Sequence, residues 1–170
     1  VVIGGGVVGC SALYHLANAG WTNPVLIEKS ELTAGSTWHA AGGMHTLNGN
    51  TNVATLQKYT IDLYRQLEEE SGQSCGIHIT GGVMLAADRE RMDFLRQLHA
   101  KGRYLGMDTE LLDAAEAARR FPLMDPQHFV GALYDPLDGH VSPADVTHAY
   151  AKAARINGAT IHRHTSVDAM

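Results

Sequence analysis

Val1-Val2-Ile3-Gly4-Gly5-Gly6-Val7-Val8-Gly9 opens the chain with a β-branched run that breaks into glycine. Gly4, Gly6 and Gly9 stand at the spacing G-x-G-x-x-G, in which the first glycine permits a tight turn, the second lets backbone approach a pyrophosphate, and the third lets helix and strand pack closely. Cys10 to Gly20 continues as a helix with Leu13, Leu16 and Ala17 on one face, and stops at a glycine suited to a left-handed C-cap. Pro24-Val25-Leu26-Ile27-Glu28 is then a second strand, apolar until it ends in a carboxylate. Strand, glycine turn, helix and strand make a βαβ unit. Phosphate belongs at its helix N-terminus, where unpaired N–H groups and the helix dipole favour negative charge. Glu28 falls 19 residues after Gly9, near the roughly 20 at which an acid bonds ribose hydroxyls, and its charge would repel a 2′-phosphate.

A nicotinamide-binding fold continues with further βα repeats. Here Lys29-Ser30-Glu31-Leu32-Thr33-Ala34 leads instead into Gly35-Ser36-Thr37-Trp38-His39-Ala40-Ala41-Gly42, and a βαβ unit followed by a small-residue loop is the order that marks FAD folds. Small side chains let a bulky planar ligand lie against the backbone, and a histidine held among them can act on it. The plainer alternative is a loop anchored by Trp38 with His39 merely hydrogen-bonded.

Further along, the spacing of Val53, Leu56, Ile61, Leu63 and Leu67 predicts a helix over Thr51 to Glu70. Ile77 to Ile79 and Val83 to Ala86 read as strands joined by Thr80-Gly81-Gly82. Asp88 is placed to cap a helix running towards Gly102, and Asp113 opens a short one ending before Pro122. Phe129 to Tyr134 is a strand leading into the turn Asp135-Pro136-Leu137-Asp138-Gly139. Ser142 as N-cap, Pro143 at N1 and Asp145 at N3 start another helix, and strands over Ala159 to His164 and Thr165 to Ala169 close the chain. The expected fold is α/β: a Rossmann-like βαβ unit and attachment loop over 1–50, an inserted mixed α+β region over 51–135, and a return to the first sheet over 136–170. Val1 already lies inside an apolar run and Met170 follows a strand-like pattern, so the chain is expected to be a piece of a larger two-domain enzyme.

Composition narrows the partners. A formal net charge of -5 with scattered basic residues offers no row of cations for phosphates, so nucleic acid is not an expected partner. No apolar run approaches the roughly 20 residues that span a bilayer, so membrane insertion is not expected. Cys10 and Cys75 form no disulfide framework and neither has a C-x-x-C partner, which fits a reducing compartment. His162 and His164 alternate on one face but lack the further ligands a metal site needs, so no metal is expected. Cys10 reads as helix–sheet packing, and Tyr59 and Tyr64 as packing residues.

Val1 to Gly9, Leu26-Ile27-Glu28-Lys29, Leu32 to Gly42 and Asp138-Gly139-His140-Val141-Ser142-Pro143 together resemble the dimethylglycine and sarcosine dehydrogenase family, within the D-amino-acid-oxidase-like FAD oxidoreductases. The resemblance implies that His39 is the covalent attachment residue of FAD. It places Gly4, Gly6, Val7, Val8 and Gly9 at the pyrophosphate, Glu28 on the ribose and Lys29 beside the adenosine. It sets Gly35, Ser36, Thr37, Trp38, His39, Ala40, Ala41, Gly42 and Gly43 along the flavin, and Val167 near the adenine through its backbone. The implied reaction is hydride transfer to flavin from the CH–NH or N-methyl group of a small amine such as dimethylglycine or sarcosine. Oxygen or an electron-transfer flavoprotein would serve as acceptor. The residues of the catalytic face are expected beyond Met170, as is any tetrahydrofolate-binding domain. Gly43-Met44-His45-Thr46-Leu47-Asn48 is where substrate choice is expected, and His45 and His140 are candidates for the flavin surroundings. The implied compartment is the cytoplasm in a bacterium or the mitochondrial matrix in a eukaryote. The same scaffold also allows a non-catalytic regulatory chain, and an NAD-linked dehydrogenase would give a colourless protein.

Overall fold

The computed structural model describes residues 1–169. In chain order the elements are β1 (Val2–Ile3), α1 (Val7–Asn18), β2 (Val25–Ile27), β3 (Gly43–Met44), α2 (Thr51–Ser71), β4 (His78–Ile79), β5 (Gly82–Ala86) and α3 (Arg89–Tyr104). They are followed by β6 (Glu110–Leu112), α4 (Ala114–Arg120), β7 (Gly131–Asp135), β8 (Gly139–His140), α5 (Pro143–Ile156) and β9 (Thr160–His162), with 3-10 turns at Ser36–His39 and Pro126–His128. Two units result, one of residues 1–42, 62–77 and 140–170, the other of 43–61 and 78–139. The sequence divides the chain at 50 and 135. The observed second unit starts earlier, at Gly43, and residues 62–77 return to the first, where Tyr64 stacks edge-on with Tyr150 and Glu70 accepts from the Tyr14 hydroxyl at 2.9 Å.

In the first unit β1, β2 and β9 form a parallel sheet in the order β1-β2-β9, with Val2 opposite Leu26 and Leu26 opposite Ile161. Two helices cover each other beside it. Cys10, Leu13, Tyr14 and Ala17 of α1 are buried, as are Val146, Ala149, Tyr150, Ala153 and Ala154 of α5. Alanine at three of those five α5 positions lets the helices approach closely, while Tyr14 and Tyr150, with ring centroids 5.6 Å apart, fill the wider part. Leu16, expected on the core face, is only half-buried and Tyr14 takes its place. Each boundary has a local cause. Gly20 adopts a φ of +82° after α1, and the Ser142 hydroxyl accepts from the Asp145 N–H to cap α5.

The sequence's final strand is not formed. Regular pairing ends at His162, because His164 takes a φ of +53° and turns its ring onto Glu31 at 2.9 Å, and residues 165–169 have no strand structure. That turn also removes the shared face of His162 and His164, and among the described residues no group of three or more metal-ligating side chains occurs.

The second unit is built on an antiparallel sheet in the order β5-β7-β6. One cluster gathers Ala86 and Leu133 with Met92, Leu95 and Leu98 of α3 and with Leu47 and Ala54. Another joins Ala132 and Leu112 to Ala117 of α4 and to Met124. Asp88 caps α3 and Asp113 caps α4, each accepting from the N–H three residues on. β4 and β5, read as a hairpin around Thr80-Gly81-Gly82, instead join different sheets: β4 pairs in the order β3-β8-β4. Gly81, at a φ of +72°, donates its N–H to the Asp138 carbonyl at 2.9 Å, which turns the chain between them. In α2, Val53 and Leu56 are exposed although their spacing suggests core, because Ala54 is the residue that turns inward there. No helix among the described residues is long and apolar enough to cross a membrane.

Candidate functional site

The glycine turn after β1 behaves as its spacing requires. Gly4 adopts a φ of +105°, and a Cβ on Gly9 would overlap the Gly4 carbonyl oxygen, so only glycine lets α1 start this close to the strand. Gly6 is the N-cap of α1 and offers no side chain to it. An N-cap without a side-chain acceptor leaves backbone N–H groups of that turn, apart from the Val7 N–H that Thr37 takes, for a ligand anion.

Glu28 ends β2 beside that turn. Its carboxylate accepts from the Gly5 N–H at 2.6 Å and from the Ser30 N–H at 2.7 Å. Both bonds hold the acid at the carboxyl end of β2, next to the start of α1, where a nucleotide ribose would need it. Lys29, the next residue, is exposed.

Thr37 joins the two motifs that the sequence shows 28 residues apart, from Gly9 to Thr37. Its hydroxyl oxygen accepts from the Val7 N–H at 3.0 Å, in the first turn of α1. Thr33 N–H donates to the Gly5 carbonyl at 3.0 Å, and Leu32 is buried beneath Gly5. On its other side the segment is pinned to the start of α5. Val141 N–H donates to the Gly42 carbonyl at 2.9 Å, and Gly42, at a φ of +75°, lies so near that a Cβ would overlap the Val141 carbonyl oxygen.

Between these two anchors stand Trp38 and His39. Ser36–His39 forms a 3-10 turn, the two rings lie 4.0 Å apart at 36°, and Trp38 is 60% exposed. His39 Nδ1 is 3.2 Å from the Gly35 carbonyl and the imidazole is exposed. Trp38 is therefore no core anchor. Ser36, Ala40 and Ala41 are exposed around it, leaving a small-residue surface with two aromatic rings on it. Val167 lies after the last strand and is 39% exposed.

The second unit holds a different kind of polar group. Asp138 is buried, accepts from the Thr46 N–H at 3.2 Å, and lies 2.9 Å from His45 Nδ1. Asp135, also buried, accepts from the Thr46 hydroxyl and from the Leu137 N–H at 3.0 Å. Burial pushes the Asp138 carboxyl above its ordinary range, His45 pulls it back, and the charge of Asp135 raises it again. A Cβ on Gly82 would overlap the Asp138 carboxylate. The sequence reads 135–139 as a turn whose Asp138-Gly139 belongs to the resemblance, and it gives neither acid a role. The two thiols are inert: burial pushes Cys10 up to about 11 and Cys75 up to about 12.

The whole chain, residues 1–170, matches the model of the FAD dependent oxidoreductase family DAO. It is 41% identical to dimethylglycine dehydrogenase, mitochondrial, of Rattus norvegicus over 93% of this chain and 18% of that protein. It is 39% identical to sarcosine dehydrogenase, mitochondrial, of Homo sapiens over 95% of this chain and 18% of that protein. The chain thus spans less than a fifth of the length of these relatives. Among solved structures, L-proline dehydrogenase from P.horikoshii superposes with a TM-score of 0.89 at 29% identity, over 98% of this chain and 44% of that one.

Proposed function

Because this chain belongs to the FAD dependent oxidoreductase (DAO) family, we propose that it is the cofactor-binding part of an enzyme that oxidises the CH–NH or N-methyl group of a small amine. Dimethylglycine and sarcosine are the first candidates, from the names of the relatives. We further propose that His39 is bonded covalently to the flavin. The observation that carries this reading is the Thr37–Val7 hydrogen bond, which sets the histidine segment against the helix start of the dinucleotide fingerprint within one unit.

The residues fit the cofactor. The start of α1 would receive the pyrophosphate, with Gly4, Gly6 and Gly9 keeping side chains out of its way, Val8 supplying an N–H group and Val7 lying beside it with its own N–H held by Thr37. Glu28 would turn a carboxylate oxygen to the ribose hydroxyls, Lys29 would lie beside the adenosine, and the backbone of Val167 would meet the adenine. Gly35 to Gly43 would run along the flavin. Bound FAD would supply the oxidant, accepting hydride from the carbon next to the amine nitrogen. This chain's part is to hold and orient that oxidant, Trp38 and His39 covering its exposed segment.

The two electrons would pass on to oxygen or to an electron-transfer flavoprotein. Any tetrahydrofolate site would lie in a separate domain, and a eukaryotic protein would work in the mitochondrial matrix, its relatives' names being those of mitochondrial proteins. The intact flavoprotein provides the test. After denaturation in acid or urea, flavin absorbance is expected to stay with the polypeptide, and to be lost to the filtrate in His39→Ala. Flavin that washes off the unsubstituted protein refutes the bond. A flavin that dimethylglycine and sarcosine both leave oxidised refutes the activity.

A further inference from the structure

Resting on the cofactor reading, we infer that Glu31 is a positioning residue for the adenosine end of the dinucleotide: through Arg163 and His164 it latches the segment after β9 over the end of β2, where that segment walls the adenosine seat.

A dinucleotide lies in the crevice outside the carboxyl ends of parallel strands, with the acid that ends the second strand on the adenosine ribose. β9 is the strand beside β2, so the chain leaving its carboxyl end borders the adenosine. Glu28 joins the two strand ends. Its N–H donates to the His162 carbonyl at 2.8 Å, and its own carbonyl accepts from the Thr165 N–H at 3.0 Å. Residues 162–165 therefore arch over the backbone of the residue whose carboxylate is offered to the ribose. The placing of Glu28 and of the chain beyond Thr165 depends on that arch.

Backbone preference does not hold the arch in shape. His164 at its top has a φ of +53°, a left-handed conformation unfavourable for a residue with a Cβ. Both side chains of the arch end on Glu31. Arg163 Nη1 donates to Oε2, and His164 Nε2 lies 2.9 Å from Oε1. The His164 N–H adds a bond to the Ser30 carbonyl at 3.4 Å. An isolated exposed ion pair contributes little, but here one carboxylate gathers two side chains and opposes a strained turn. Its own loop is strained as well. Thr33, two residues after Glu31, has a φ of +72° and donates its N–H to the Gly5 carbonyl at 3.0 Å in the glycine turn. Of the three non-glycine residues with positive φ among the described residues, two thus meet around Glu31. Strain of this kind persists where the surrounding structure enforces it, and it clusters at ligand clamps. All of these residues belong to the first unit. Both oxygens of Glu31 face the arch, so its effect on a nucleotide passes through Arg163 and His164.

The test uses the full-length protein carrying His39→Ala, in which FAD is expected to bind without a covalent bond and can be exchanged. Dissociation constants are compared for FAD, for AMP, which is the adenosine end alone, and for FMN, which has the flavin and one phosphate but no adenosine. Glu31→Gln should weaken FAD and AMP by the same factor, about tenfold, and leave FMN unchanged. Glu31→Asp, which keeps the charge, should recover part of the loss. Arg163→Leu should match Glu31→Gln, and the double variant should lose no more than either single one, because both break one latch. Losses that multiply in the double variant would make Arg163 a direct ligand of the nucleotide and overturn the latch. So would unchanged AMP affinity in Glu31→Gln, or an equal loss for FMN, which would mean general loosening of the unit. If Glu31→Gln fails to fold, Arg163→Leu with the same three ligands decides. A His39→Ala protein that binds neither FAD nor AMP refutes the cofactor reading itself, whereas one that binds both, with Glu31→Gln no weaker, refutes the latch alone.

Discussion

The two units place their polar chemistry on opposite parts of the residue. In the first, backbone does the work: the glycine-capped start of α1, the carbonyls of Gly35 and Gly42, and N–H groups held open by Gly4, Gly6 and Gly9. In the second, side chains do it, with His45, Thr46, Asp135 and Asp138 gathered from both ends of the unit. Backbone sites depend on residues that lack a side chain, and such residues are close together in sequence. Side-chain sites are assembled by tertiary folding.

The comparison predicts that the first unit tolerates change least. Gly9→Ala forces a Cβ into the Gly4 carbonyl and is expected to cost about 3 kcal/mol, read as a lower urea midpoint together with loss of flavin. A Gly9→Ala protein of unchanged midpoint would show that the turn has slack and erase the contrast. Next, Glu28→Ala leaves the Gly5 and Ser30 N–H groups without their acceptor, for about 2 kcal/mol by denaturant titration. Glu28→Gln, which keeps one acceptor oxygen, should lose less.

Cys10 and Cys75 sharpen the comparison by pH. Both belong to the first unit, and burial raises both thiols. Their stabilising contribution is complete below the unfolded thiol value near 8.5 and declines as pH rises towards the folded values of about 11 and about 12. Each should therefore remove about 1.4 kcal/mol per pH unit above pH 8.5, and Cys10→Ala should flatten the slope. In the second unit Asp88→Ala removes the cap of α3 and should cost about 1 kcal/mol.

The smallest effect belongs to Asp138. Its folded pKa is raised by burial, so its contribution is fully present below the unfolded carboxylate value and is lost as pH rises through the folded one. Wild type should gain stability relative to Asp138→Asn as the pH falls through that window. A relative loss on acidification would mean that His45 outweighs burial.

Much of the first unit, and the helix caps of both units, were legible. The glycine spacing, the acid ending β2, and the caps at Asp88, Asp113 and Ser142 are local signals, each read from a few consecutive residues, and each forms as read. Short-range apolar spacing was less reliable. It put Val53 and Leu56 in the core, although helix periodicity states only that a face exists and not which face is covered. It also added a second strand over 165–169 after the one to His164, although pairing ends at His162 and His164 turns left-handed. The contact between Thr37 and Val7, and the whole Asp138 arrangement, had no signal in spacing, since nothing local to either residue specifies the other.

The sheet of the first unit also sets a schedule for synthesis. β2 pairs in parallel with β9, and residues 26–159 separate the paired Val25 and Thr160. At ribosomal rates of ~5–20 residues per second, β2 waits roughly 7–27 s for its neighbour. Throughout that interval one edge of the nascent sheet stands open, so the period of greatest exposure to chaperones and to misassociation is written into the strand order.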